Sequence, residues 1–312
     1  MSSGQPGWYL VGYDISSPRR LRKIHRSLKK RGLALAPQTL NAAWKSLKGD
    51  NAVWIPGLSR ADMEKNIALH LIQLADELRT GAYRPHPTRM FPVAKADGGK
   101  RIISALTLRD KLAQKTVLWA LRPLGESLFH SDSYGYRPGR SVEMAVSKAR
   151  EHILCGLEWL VDADIRQFFD RIPHGPLRKV LKRTIDDREM LKLIDMWLDV
   201  GAPRTGFLTK RRGVPQGGVL SPFFCNLYLT GFDQRLAAAN LPFVRFADDF
   251  LVFAPTQRAA EAARTFVGKE LNRLDLELHP DKTRVVRSGP AVRFLGRKMP
   301  RAPKYDAPDG RG

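Results

Sequence analysis

The chain has 312 residues, 43% of them hydrophobic, which allows one large domain or two modest ones with a real core and argues against a disordered chain. Its 53 Lys and Arg stand against 31 Asp and Glu; the net charge of +22, spread along the whole length, points to a polyanion, usually nucleic acid, over a plain solubility surplus. Cys155 and Cys225 alone make neither a disulfide framework nor a zinc site, no segment reaches the roughly 18 apolar residues of a membrane span, and "MSSGQPGWYLVGYD" is no signal peptide, so a cytoplasmic protein without membrane contact is expected.

In chain order, Tyr9 to Ile15 reads as a strand followed by a helix. Ser17 can cap that helix, Pro18 suits its first turn, Gly32 can end it, and Leu21, Ile24 and Leu28 form an apolar stripe among many basic residues. "SRADMEKNIALHLIQLADELRTG" is strongly helical and stops at Gly81. "RMFPVAKADGGKRIIS" predicts a hairpin, two apolar runs around Asp97-Gly98-Gly99. "TLRDKLAQKTVLWAL" opens a helix with a capping-box-like Thr107 and Asp110. Further helices are expected over 141–154, 175–183, 186–200 and 256–274, with apolar strands in "LEWLVDADI", "FVRFADDFLVF" and "DLELHPDKTRVV". A helical region followed by mixed strands and helices is α+β, with the antiparallel hairpin at 244–253 as the expected sheet centre.

Two of those strands carry acids in apolar surroundings. Asp162 and Asp164 share a face by alternation, and Asp170 follows them; Asp248 and Asp249 interrupt the second of the three apolar runs. Buried ionised and unpaired, each carboxylate costs several kcal/mol, and two together repel. Each cluster alone is more often a set of solvated acids at a strand end or hairpin tip than a metal site. Adjacent in one sheet, the two strands converge their carboxylates, and oxygen-only ligation without His or Cys suits Mg²⁺. Two such ions roughly 3.5–4 Å apart are a common device for phosphoryl transfer.

The segments "DIRQFFDRIPH", "RRGVPQGGVLSPFFCNLYL", "RFADDFLVF", "LELHPDKTRVV" and "FLGRKM" resemble, in this order, the motifs of reverse transcriptases. "FPVAKADGGKRIISALTLRDKLAQ" and "SYGYRPGRS" are similar to the bacterial group II intron branch, which includes CRISPR-associated members; the resemblance runs from about Leu40 to Met299. It implies the fingers and palm of a right-hand polymerase, with fingers over 37–143, palm over 144–299 and a tail over 300–312. The implied activity is RNA-directed DNA polymerisation: dNTPs added to a primer 3′-OH on an RNA template, the primer being DNA or RNA, with two Mg²⁺ ions for which Mn²⁺ can substitute.

Carried over by position, the resemblance makes Asp164 and Asp248 the principal metal ligands with Asp249 beside them, and leaves Asp162 as a solvated neighbour. Lys282 falls where a lysine protonates the leaving pyrophosphate. Lys95 and Arg101 correspond to residues that clasp the triphosphate. Phe169 stands where a bulky gate meets the ribose 2′-OH, although the same place suits a core Phe. Gln216 and Gly217 correspond to the loop that positions the nucleotide and templating base; Phe294, Leu295 and Gly296 to the primer grip; Arg137 to a template contact.

Three departures shape the expectation. Phe246 stands where Tyr is commoner in the family. The sequence runs only sixteen residues past Gly296, where relatives continue into a helical thumb, so low processivity, a partner supplying the grip, or a truncated chain is expected. Residues 8–35 resemble the opening strand and helix of the small ferredoxin-like subunit of the CRISPR spacer-acquisition complex, making 1–36 a βα fragment and a CRISPR integrase complex a candidate partner. The alternatives are a stand-alone group II intron-like or defence reverse transcriptase, or a catalytically idle RNA-binding scaffold.

Overall fold

The computed structural model describes residues 36–94, 100–201 and 211–303, so the expected N-terminal strand and helix and the Asp97-Gly98-Gly99 turn lie outside the described residues. The first helix, α1 (Pro37–Lys45), carries Pro at its first position, where no hydrogen bond is lost. The long helix expected after Ser59 is two: α2 (Arg60–Glu64), capped by the Ser59 hydroxyl, and α3 (Ile67–Thr80), closed by Gly81 at φ +76°. Asn66, a residue that favours caps over helix interiors, stands at the break.

The predicted hairpin forms from β1 (Arg89–Ala94) and β2 (Lys100–Ala105), with Arg89 opposite Ala105. Next comes α4 (Leu108–Glu126), where the Thr107 hydroxyl accepts from the Asp110 N–H and donates to the Asp110 carboxylate at 2.8 Å. Asp110 is fully buried because it does more than cap: it also takes the Tyr83 hydroxyl and the His86 N–H. Then follow α5 (Val142–Leu154), β3 (Trp159–Asp164), α6 (Phe168–Arg171), α7 (His174–Thr184), α8 (Arg188–Gly201), α9 (Ser221–Ala238), β4 (Phe243–Phe246), β5 (Asp249–Ala254), α10 (Gln257–Arg273) and β6 (Arg284–Arg287). A small hairpin, β7 (Arg293–Phe294) with β8 (Arg297–Lys298), ends the described chain.

The main sheet is antiparallel in the order β4-β5-β3-β6. The 244–253 hairpin is therefore only half central: β3 inserts beside β5 and leaves β4 outermost, which corrects the expected sheet centre. Of "DLELHPDKTRVV", only its last residues pair as β6; Leu278 makes a single bridge to Ile165. Side-chain alternation splits the core. Val161, Ala163, Phe250 and Val252 face α9 and α10, while Leu160, Val244, Leu251 and Phe253 face α5 and the β7–β8 hairpin. The helix α9 is apolar nearly all round because it is packed on several sides, against α4, α7 and α10. Among the described residues, no helix is long and apolar enough to cross a membrane.

Candidate active site

Asp164 ends β3 directly opposite Asp249, the first residue of β5, and Asp162 lies on the same face, as alternation predicts. Asp248 occupies the two-residue turn between β4 and β5, and its carbonyl accepts from the Ile165 N–H at 3.3 Å. On the other side the Asp164 carbonyl accepts from the His279 N–H at 2.8 Å. The two acid clusters of the sequence are thus one site. Two cations from the segment entering and forming β6 offset the strand acids: Lys282 Nζ donates to Asp164 Oδ2 at 2.8 Å, and Arg284 Nη2 to Asp162 Oδ2 at 2.7 Å. Asp162 is thereby a paired neighbour.

Burial pushes the Asp249 carboxyl up to about 7, and the negative charges of Asp162, Asp248 and Asp164 add to it. Burial also raises Asp248, reinforced by Asp164, with Arg101 and Lys282 working against it. Carboxylates so destabilised as anions are an oxygen donor set that suits a hard divalent cation. Among the described residues, no group of three or more His, Cys, Asp or Glu side chains stands ready to hold a metal ion, and Asp164 spends one oxygen on Lys282.

The turn itself is under tension. Ala247 has φ +63°, a conformation that costs a non-glycine residue about 1–3 kcal/mol and persists only where its surroundings over-determine it. Arg245 supplies part of that: fully buried, it donates to the Ala247 carbonyl at 2.9 Å and pairs with the equally buried Asp233 of α9.

The glycine loop packs against β2, the strand that carries Arg101. The Gln216 carbonyl accepts from the Ser104 N–H of β2 at 2.7 Å, and its side chain donates to Asp170 at 2.9 Å. Gly217, at φ +102°, lies so close to β2 that a Cβ would sit 2.9 Å from the Ser104 carbonyl, so only glycine lets the loop meet the strand. Arg101 is exposed on β2, and its charge reaches Asp248. Lys95 lies outside the described residues. Phe168 is 2% exposed core, whereas Phe169 is half-buried, with its ring edge-on to Phe168.

The remaining two expectations come out differently. Phe294 is fully buried and anchors the β7–β8 hairpin in the core; Leu295 and Gly296 form the tip at positive φ, Leu295 half-buried against the same core and Gly296 exposed. Arg137, expected at the template, is 8% exposed, and its guanidinium bonds Glu126 and the carbonyls of His130 and Ser133. Sequence reasoning missed Gln114, whose buried Oε1 accepts from the Val219 and Leu220 N–H groups and holds the glycine loop to α4. It also missed Arg245. The available signal was a polar residue at an inward position of an apolar element.

Residues 93–299 match the family model described as reverse transcriptase (RNA-dependent DNA polymerase). The chain is 31% identical to protein YkfC of Escherichia coli K12 over 81% of this chain and 77% of that protein. It is 30% identical to the group II intron-encoded protein LtrA of Lactococcus lactis over 68% of this chain, but the match spans only 35% of LtrA. A solved partial Cas6-RT-Cas1–Cas2 complex contains a chain similar over 77% of this one and 42% of that one, at 24% identity and a TM-score of 0.45. The acids on β3 and β5 and the glycine loop before α9 all fall inside the matched span, and the chain belongs to the reverse transcriptases, the RNA-dependent DNA polymerases.

Proposed function

We propose that the protein copies RNA into DNA by adding dNTPs to a primer 3′-OH at the Asp164–Asp248–Asp249 edge. The observation that carries this reading is three carboxylates from β3, β5 and the β4–β5 turn gathered at one end of the sheet, two of them raised by burial and by the neighbouring acids. Reverse transcriptases generally depend on divalent metal, and Asp164, Asp248 and Asp249 would hold two Mg²⁺ ions, or Mn²⁺ in their place. Such ions, when bound, activate the primer oxygen and neutralise phosphate charge.

The chain's own residues do the rest. Arg101, with Lys95, clasps the triphosphate from the fingers hairpin. Gln216 and Gly217 position the nucleotide against the templating base, with the loop fixed by Ser104 and Gln114. Phe169 excludes the ribose 2′-OH. Lys282, held near the site by Asp164, gives its proton to the departing pyrophosphate. Leu295 and Gly296 at the hairpin tip touch the primer.

Asp248→Ala is expected to lower primer extension on an RNA template by about 10³-fold or more, because a centre of charge stabilisation is lost. RNA affinity should stay near the parent's or rise slightly. Extension by the variant at near the parent rate would sink the assignment; no extension by either protein would favour an idle scaffold.

A narrower reading, CRISPR-associated acquisition of spacers from RNA, rests on the resemblance of "YLVGYDISSPRRLRKIHRSLKKRGLAL" to the small acquisition subunit. Comparing the full chain with one starting at Pro37 in a pull-down with the acquisition integrase tests it. Equal recovery by both, or by neither, ends that reading in favour of a stand-alone enzyme.

A further inference from the structure

Arg245 is fully buried, in the strand that leads into the Asp248 turn, and its side chain joins that turn to α9. Its Nε and Nη2 pair with both oxygens of Asp233 on α9; its Nη1 donates to Asn226 Oδ1 at 3.0 Å and to the Ala247 carbonyl at 2.9 Å. Asn226 completes a circuit, donating from Nδ2 to the Gly135 carbonyl at 2.7 Å. Gly135 in turn presses on the turn: a Cβ there would lie 2.5 Å from the Ala247 nitrogen. The Arg245 main chain is also tied to this segment, its N–H donating to the Asp132 carbonyl and its own carbonyl accepting from the Tyr134 N–H.

A buried ion pair gives little net stability over an apolar replacement, so what it contributes is geometry. The geometry at stake is the left-handed Ala247, which is tied through the Arg245 Nη1 bond and the Gly135 contact. We propose that Arg245 is a positioning residue: with Asn226 and Gly135 it locks the Ala247–Asp248 turn, and so fixes where the Asp248 carboxylate meets a divalent cation. The assignment rests on the reading of Asp248 as a metal ligand.

Lysine at 245 keeps one charge for Asp233 but cannot span Asn226 and the Ala247 carbonyl together. Asn226→Ala leaves the Arg245–Asp233 pair intact and breaks the brace to Gly135. The full-length parent, Arg245→Lys and Asn226→Ala are compared by thermal melting, by Mn²⁺ binding read from the free-ion EPR signal, and by primer extension across a Mn²⁺ series. Folded variants should need about tenfold or more Mn²⁺ for half-saturation in both binding and extension, as loss of a ligand's support typically costs. Extension should recover toward the parent at high Mn²⁺. Parent-like Mn²⁺ curves in a folded variant overturn the proposal, as does loss of fold in both variants, which would make the network scaffold alone. If only Arg245→Lys fails to fold, Asn226→Ala decides. Asp248→Ala run beside them separates the two levels: parent-like Mn²⁺ binding and extension there removes the metal-ligand reading itself, whatever the other variants do.

Discussion

Asp249 shows what the site costs the fold. Its pKa of about 7, against 3.8 for an ordinary Asp, means that the folded protein holds this proton more tightly than the unfolded one. The stabilisation from the bound proton is complete below about pH 4 and is lost as pH rises through about 7. Without divalent metal, the melting temperature should therefore decline between pH 5 and 8, and Asp249→Asn should flatten that decline and melt higher at pH 8. A variant that tracks the parent's pH profile would count against an uncompensated carboxylate. Phe169 is tested by selectivity. Phe169→Ala should admit ribonucleotides more readily relative to deoxyribonucleotides, since a gate acts by clash. An unchanged dNTP/rNTP preference makes Phe169 plain core, like its neighbour Phe168.

At the scale of elements, the buried Asp110 joins α3's exit, α4 and α8: it takes the Tyr83 hydroxyl, which itself accepts from Trp197 Nε1 at 3.0 Å. Asp110→Ala leaves the Tyr83 hydroxyl, the His86 N–H and the Thr107 hydroxyl short of partners, and should cost about 2–4 kcal/mol by urea unfolding. A change under about 0.5 kcal/mol would mean that water replaces the carboxylate there. The cap at Thr107 was legible because it is local: four residues and one turn define it. The β1–β2 hairpin was legible from two apolar runs flanking a turn sequence, and the shared face of Asp162 and Asp164 from alternation, both local signals. What did not show was long-range. Nothing local to Arg137 says that Glu126 becomes its partner. The break at Asn66, the outer place of β4 and the service of Gln114 to a loop before α9 likewise depend on which elements become neighbours.

For the whole molecule, the surplus of charge is the property with the most direct readout. Asp162, Asp164, Asp233 and Glu126 are each answered by a cation within the fold, and the net +22 is the excess of Lys and Arg over all the acids. RNA binding should weaken with a log K against log salt slope of magnitude about 4 or more, the value for roughly six phosphate contacts on a single strand. A flat plot would reduce the surplus to solubility. The sheet order has its own consequence, in time. β3 and β5 are neighbours in space, yet α6, α7, α8, α9 and β4 are all synthesised between them. A nascent chain ending before Asp249 presents Asp164 without its partner, and pairings so distant form late because the loop must close before it is rewarded. The acids meet, and begin to repel, only when β5 docks beside β3. Until then the ribosome holds a chain with its basic surplus already in place and its carboxylate cluster still unassembled.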